Sequence, residues 1–183
     1  MIEVEIKAKI EDSKKAFERI IEIGGEYSHS EKQHDIYFNG IDRDFKKSDE
    51  ALRIRELPDN NDNLVRVLTY KGPKLDVETK TRKEVEVVIA NTENMIEILS
   101  NIGFRPSAIV DKSRRIFFYE DYTINIDKVE KLGYFMEIEH VTDDESDIDV
   151  IQEDIFGIFG KLGITDGFEK VSYLELLEEI KDK

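Results

Sequence analysis

The 183-residue sequence contains no cysteine and no tryptophan, and only three prolines. Without cysteine, disulfides, thiolate metal sites and cysteine nucleophiles are all excluded. Long apolar stretches are also missing: no run approaches the ~18 residues that a membrane-crossing helix needs. The N-terminus has no basic segment leading into an apolar one, so no secretory leader is expected. Positive charge is in deficit, with 27 Lys and Arg against 42 Asp and Glu, a net −15. A phosphate backbone selects the opposite kind of surface. The chain reads as a soluble cytoplasmic protein that binds neither nucleic acid nor membrane. Its length suits one domain, 1–183, with a sizeable core, and leaves room for a homodimer.

What the chain does have is a repeated conflict. Glu3-Val4-Glu5, Glu84-Val85-Glu86 and Glu137-Ile138-Glu139 each sit inside a strand-like run. Residues two apart on a strand share a face, so each copy puts two carboxylates side by side. Glutamate is a poor strand former and like charges on one face repel. A bound cation is the usual reason to accept that cost.

Residues 2–9 alternate cleanly, Ile2, Val4, Ile6 and Ala8 against Glu3, Glu5, Lys7 and Lys9, which is the signature of a half-buried strand. Further strands are expected at 34–39, 51–57, 64–71, 80–90, 108–119, 122–129 and 134–141. Polar turns such as LPDNNDN at 57–63 join them as hairpins. A helix capped by Asp12 or Ser13 carries Phe17, Ile20 and Ile21 and stops at Gly24-Gly25. Others are expected at 92–102, at about 145–162, and after Ser172 with Leu174 and Leu177 inward. The acidic run at 143–149 is the start of the third helix, favoured there by the helix dipole. It lacks the spacing and the glycine of a calcium loop. The fold class is α+β: an eight-stranded antiparallel β-barrel with helices packed outside.

Extending the two-residue period to every strand assembles one charged face. If all these phases meet in a single lumen, it holds seven carboxylates: Glu3, Glu5, Glu84, Glu86, Asp127, Glu137 and Glu139. It also holds seven cations: Lys7, Arg53, Arg55, Lys71, Arg82, Lys112 and Arg114. Packed barrels fill their centres with aliphatic side chains, and an unpaired buried ion costs several kcal/mol. A lumen of mixed sign suits a ligand with many negative charges held together with divalent cations. Hard carboxylate oxygens bind Mg²⁺ or Mn²⁺, while Arg and Lys take up phosphate oxygens. The expected ligand is a polyphosphate chain. His29, His34 and His140 fall in different settings and form no metal set; Tyr37 and Phe38 read as core.

These residues resemble a known family. Glu3-x-Glu5-x-Lys7 is similar to the ExExK signature of the CYTH proteins, also called triphosphate tunnel metalloenzymes. The resemblance continues through His34-Asp35-Ile36-Tyr37-Phe38, Leu52-Arg53-Ile54-Arg55, Tyr70-Lys71-Gly72-Pro73, Arg82-Lys83-Glu84, Asp127 and Glu137-x-Glu139, and closes on Lys170-Val171-Ser172-Tyr173. It implies an eight-stranded antiparallel tunnel using one or two Mg²⁺ or Mn²⁺ ions. It also implies that Glu3, Glu5, Asp127, Glu137 and Glu139 bind metal. Lys7, Arg53, Arg55, Lys71, Arg114 and Lys170 would bind the triphosphate, with Arg82 and Lys112 as additions in the same role by phase; Glu137, Glu139 and Lys7 would carry the chemistry. Glu84 and Glu86 either touch metal or brace the basic residues.

Three functions are compatible with such a wall. The first is metal-dependent hydrolysis of inorganic triphosphate or of nucleoside or organic triphosphates. The second is a class IV adenylyl cyclase converting ATP to cyclic AMP and pyrophosphate, and the third is a non-catalytic polyphosphate- or nucleotide-binding module. The sequence offers a full triphosphate-and-metal set but no recognisable adenine-reading element, which favours the triphosphatase.

Overall fold

The computed structural model describes residues 2–58, 63–75 and 81–181. The strands are β1 (Ile2–Ile10), β2 (Glu26–Gly40), β3 (Ala51–Pro58), β4 (Leu64–Lys74), β5 (Arg82–Val88), β6 (Phe104–Tyr119), β7 (Tyr122–Val129), β8 (Gly133–Thr142) and the two-residue β9 (Phe168–Glu169). The helices are α1 (Ser13–Glu22), α2 (Thr92–Asn101), α3 (Ile148–Lys161) and α4 (Tyr173–Lys181). A short 3-10 turn at Glu145–Asp147 precedes α3 within the acidic run. No described helix is long and apolar enough to cross a membrane.

The strands follow the order β5-β4-β3-β2-β6-β7-β8-β1, and β5 pairs back onto β1 through Ile2↔Lys83 and Glu3↔Arg82. Every ladder is antiparallel, so the sheet closes into the expected eight-stranded barrel. The ninth strand is an addition, laid against Lys7 and Ala8 of β1. β3 and β4 pair out to Pro58↔Leu64; residues 59–62 of the expected hairpin loop, and Lys80 of the expected fifth strand, lie outside the described residues. β2 begins at Glu26, well before the expected residue 34. Its first half, EYSHSEKQ, is polar on both faces and pairs with β6, so no alternation marks it as a strand.

Local chemistry sets the ends of the helices. The Asp12 carboxylate accepts from the backbone N–H groups of Lys14 (2.9 Å) and Lys15 (3.0 Å), capping α1. Gly24 and Gly103, with φ of +99° and +96°, take the left-handed conformation that ends α1 and α2.

Most of the apolar core lies on the outer face of the barrel wall. Val4, Ile6 and Ala8 of β1, Ile124 and Ile126 of β7, and Met136 and Ile138 of β8 face Ile20 of α1 and Ile151, Ile155, Ile158 and Phe159 of α3. On the far side, Phe38, Leu52 and Ile54 pack with Leu99 of α2. Each of these side chains other than Ala8 gains roughly 1.5–3 kcal/mol on leaving water. A third cluster brings Val110, Val129 and Phe135 of the inner phase against Tyr173, with Leu174, Leu176 and Leu177 of α4 around it. Helix α4 therefore packs at the end of the barrel and contributes to its interior.

Candidate active site

Twelve of the fourteen charged residues assigned by phase to the lumen line one cavity of about 370 Å³: Glu3, Glu5, Arg53, Arg55, Lys71, Arg82, Glu84, Glu86, Lys112, Arg114, Glu137 and Glu139. The pairing register explains how they meet. Glu5 stands opposite Glu139 and Lys7 opposite Glu137 across β1 and β8. Lys71 stands opposite Glu84 across β4 and β5, and Arg114 opposite Asp127 across β6 and β7.

The acids divide into two kinds. Carboxylate oxygens of Glu3, Glu5 and Glu139 come within 4.8 Å of one another, which is the spacing and the hard-oxygen chemistry that a Mg²⁺- or Mn²⁺-sized ion requires. Burial, together with the charge of Glu3, pushes the Glu139 carboxyl up to about 8. Burial acts on Glu3 as well, but Lys71 and Arg53 outweigh it and hold that carboxyl below its ordinary range.

The other acids hold cations in place. Asp127 is fully buried. It accepts a fork from Arg114, Nε to Oδ1 at 2.7 Å and Nη2 to Oδ2 at 2.6 Å. It also accepts from Lys112 Nζ (3.2 Å) and the Tyr173 hydroxyl (2.9 Å). Its carboxylate lies outside the three-glutamate group. Arg114 also donates to Glu137, while Glu84 takes the Lys71 ammonium. Burial raises Glu84 to about 7 against the pull of Lys71, with Glu3 adding to the rise. Glu86 accepts from Thr69 (2.7 Å) and approaches Arg53 at 3.7 Å. Burial and Arg114 depress the Lys112 ammonium, with Asp127 opposing.

Besides Asp127, two residues of the expected set, Lys7 and Lys170, do not line the cavity. Lys7 is 1 % exposed; its ammonium donates to the Val171 carbonyl at 2.6 Å and lies 4.0 Å from the centre of the Tyr173 ring. Tyr173 lines the cavity and this signature lysine does not. Lys170 is exposed on the link between β9 and α4. Of the histidines, His34 meets Asp111 at 2.6 Å, His29 approaches Glu31 at 3.4 Å, and His140 binds the Asp121 carbonyl at 2.8 Å.

Sequence reasoning did not reach several residues of the site. Asp35 is buried behind Arg53 and Arg55; it falls within the family resemblance but is given no role by it, which its register opposite Arg55 supplies. Tyr37, expected in the core, packs with the third cluster and also lines the cavity. At the α4 end, Asp49 accepts from Lys74 (2.6 Å) and Arg82 (3.3 Å), and Glu178 of α4 accepts from Lys46 (2.6 Å). Glu50 gathers Tyr70, Ser48 and Arg43.

A model of the CYTH domain matches residues 1–172. The chain belongs to the CYTH family. This is a family of enzymes, metal-dependent and acting on small-molecule triphosphates such as ATP. A Methanocaldococcus jannaschii protein provisionally named an adenylate cyclase is 45% identical over 177 residues, 96% of this chain and 98% of the relative. The adenylate cyclase CyaB of Aeromonas hydrophila is 25% identical over 149 residues, 81% of this chain and 73% of that one. Among solved structures, a Pyrococcus horikoshii protein superposes with a TM-score of 0.89 at 41% identity, covering 97% of this chain and 98% of the other. The whole barrel with its helices is thus a shared CYTH architecture.

Proposed function

We propose that this CYTH protein hydrolyses inorganic triphosphate or a nucleoside or organic triphosphate inside the barrel. The observation that carries this reading is the opposition, within one cavity, of the Glu3/Glu5/Glu139 group to cations already fixed by buried acids. Arg53, Arg55, Lys71, Arg82, Lys112 and Arg114 grip the phosphate oxygens. The family resemblance also assigns Lys7 and Lys170 to the triphosphate and Asp127 to the metal, although all three lie off the cavity lining here. In phosphoryl transfer, positioning and charge neutralisation supply most of the catalysis, and a fixed set of cations loses little energy to reorganisation. A divalent cation held by Glu3, Glu5 and Glu139 would neutralise phosphate charge and lower the pKa of a water for attack. Glu137 orients Arg114 against the transferred group, and Glu139 faces the attacking side.

A second reading is favoured by the names of the two relatives: closure of ATP to cyclic AMP, with a ribose hydroxyl in place of water. The wall chemistry is nearly the same for both. Incubation with tripolyphosphate or ATP, with Mg²⁺ or Mn²⁺ and separation of the products, decides between them. Orthophosphate without cyclic AMP supports the hydrolase. Cyclic AMP with pyrophosphate replaces it by the cyclase, and tight binding without turnover leaves only a binding module.

A further inference from the structure

We infer that Asp35 is a positioning residue for the triphosphate: it sets Arg55, and through a shared carboxylate Arg53, in the orientation that presents their remaining N–H donors to the cavity. The inference rests on the triphosphate-binding role proposed for these arginines. Asp35 lies in β2 directly opposite Arg55 of β3. It receives a two-pronged fork, Arg55 Nε to Oδ1 and Nη2 to Oδ2, both at 2.7 Å. Arg53 Nη1 stands 3.7 Å from the same Oδ2. Both arginines line the cavity, whereas Asp35 is only 1 % exposed and lies behind them.

The fork uses two of the five N–H donors of a guanidinium, and the planar group holds the other three in a fixed direction. Arg53 is held more loosely, by Thr69 at 3.2 Å and by Asp35 and Glu86 at 3.7 Å, and its Nε has no partner among the described residues. Asp35 is thus the shared anchor of the pair. Burial disfavours its charge, yet Arg53 and Arg55 hold the carboxyl far below its ordinary range, so it is ionised throughout the neutral range. Asp127 stands in the same relation to Lys112 and Arg114 two strands along the wall, on β7.

The test is calorimetric binding of tripolyphosphate, with Mg²⁺ and with EDTA, to wild type, Asp35→Asn, Arg55→Gln, Lys71→Met and the double variants. Asp35→Asn is expected to weaken binding at least tenfold, to add only the smaller part exerted through Arg53 in the Arg55→Gln background, and to add its full effect in the Lys71→Met background. A general loosening of the barrel would not distinguish Arg55 from Lys71. If Asp35→Asn does not fold, Asp35→Glu, which keeps the charge on a longer arm, is expected to weaken binding at least threefold with the same dependence on Arg55. Wild-type affinity in the Asp35 variants, or an equal loss with and without Arg55, overturns the inference. Turnover plays no part in this measurement. A protein that binds without hydrolysing contradicts the hydrolase reading alone, and one that binds no tripolyphosphate contradicts both.

Discussion

Glu5 and Glu139 face each other directly across the β1–β8 ladder, and Glu3 brings a third carboxylate within 4.8 Å. Like charges in opposed positions destabilise a sheet. Replacing Glu139 by Gln removes one proposed ligand and one source of repulsion together. Glu139→Gln is expected to weaken Mg²⁺ or Mn²⁺ binding at least tenfold and to abolish metal-dependent turnover while the protein remains folded. Retained metal affinity, read by calorimetry or Mn²⁺ resonance, rules out this site.

The same cluster sets a pH dependence. Glutamate ordinarily titrates near 4.5, whereas Glu139 is pushed up to about 8 by burial and Glu3, and Glu84 to about 7 by burial and Glu3 against Lys71. Between those values the fold holds more protons than the unfolded chain. These carboxyls therefore contribute stability below about pH 4.5 that is lost as the pH rises through 7 and 8. Thermal unfolding of EDTA-treated protein is expected at lower temperature at pH 8 than at pH 5, with a shallower fall in Glu139→Gln and a shallower one again with Mg²⁺. A wild-type profile no steeper than that of Glu139→Gln contradicts the assignment.

Lys71 reaches Glu84 and, at 3.5 Å, Glu3. As the proposed charge-assisted contact to phosphate it would be worth about 2–3 kcal/mol. Lys71→Met is expected to lower kcat/KM for the triphosphate roughly 30- to 150-fold, measured by phosphate release. An unchanged value removes Lys71 from the substrate set.

The Tyr173 hydroxyl is one of three donors to the buried Asp127 carboxylate, the others being Lys112 and Arg114. Tyr173→Phe keeps the ring over Lys7 and deletes the hydrogen bond. A loss of about 1–3 kcal/mol in urea unfolding is expected. Tyr173→Ala also empties the ring's site beside Phe135 and is expected to cost about 3–5 kcal/mol.

The barrel and most of its lining were legible in the sequence because strand alternation is strict where one face is apolar. Arg53 and Arg55 against Leu52 and Ile54, or Glu137 and Glu139 against Met136 and Ile138, declare their side without any neighbour. The early half of β2 was not legible, since EYSHSEKQ is polar on both faces and its ladder with β6 leaves no mark on hydropathy. Asp35 was hidden for another reason. A single carboxylate in HDIYF acquires its meaning from the strand laid beside it, and pairing partners are a property of topology. The position of Lys7 beside Tyr173 depends on where α4 docks, more than 160 residues along the chain from Lys7. The unequal duties of the acids followed the same logic: the repeated Glu-x-Glu showed where carboxylates gather, and the register showed which ones are already committed to arginine or lysine.

Because the barrel wall turns its apolar side outward to α1, α2 and α3, each strand carries two nearly independent texts in alternate letters. The outer letters secure the architecture, and the inner ones determine what is bound and what is done to it. The charged inner residues can be exchanged without unpacking the outer hydrophobic layer. One scaffold can in this way diverge between hydrolysis and cyclisation by rewriting only every second residue.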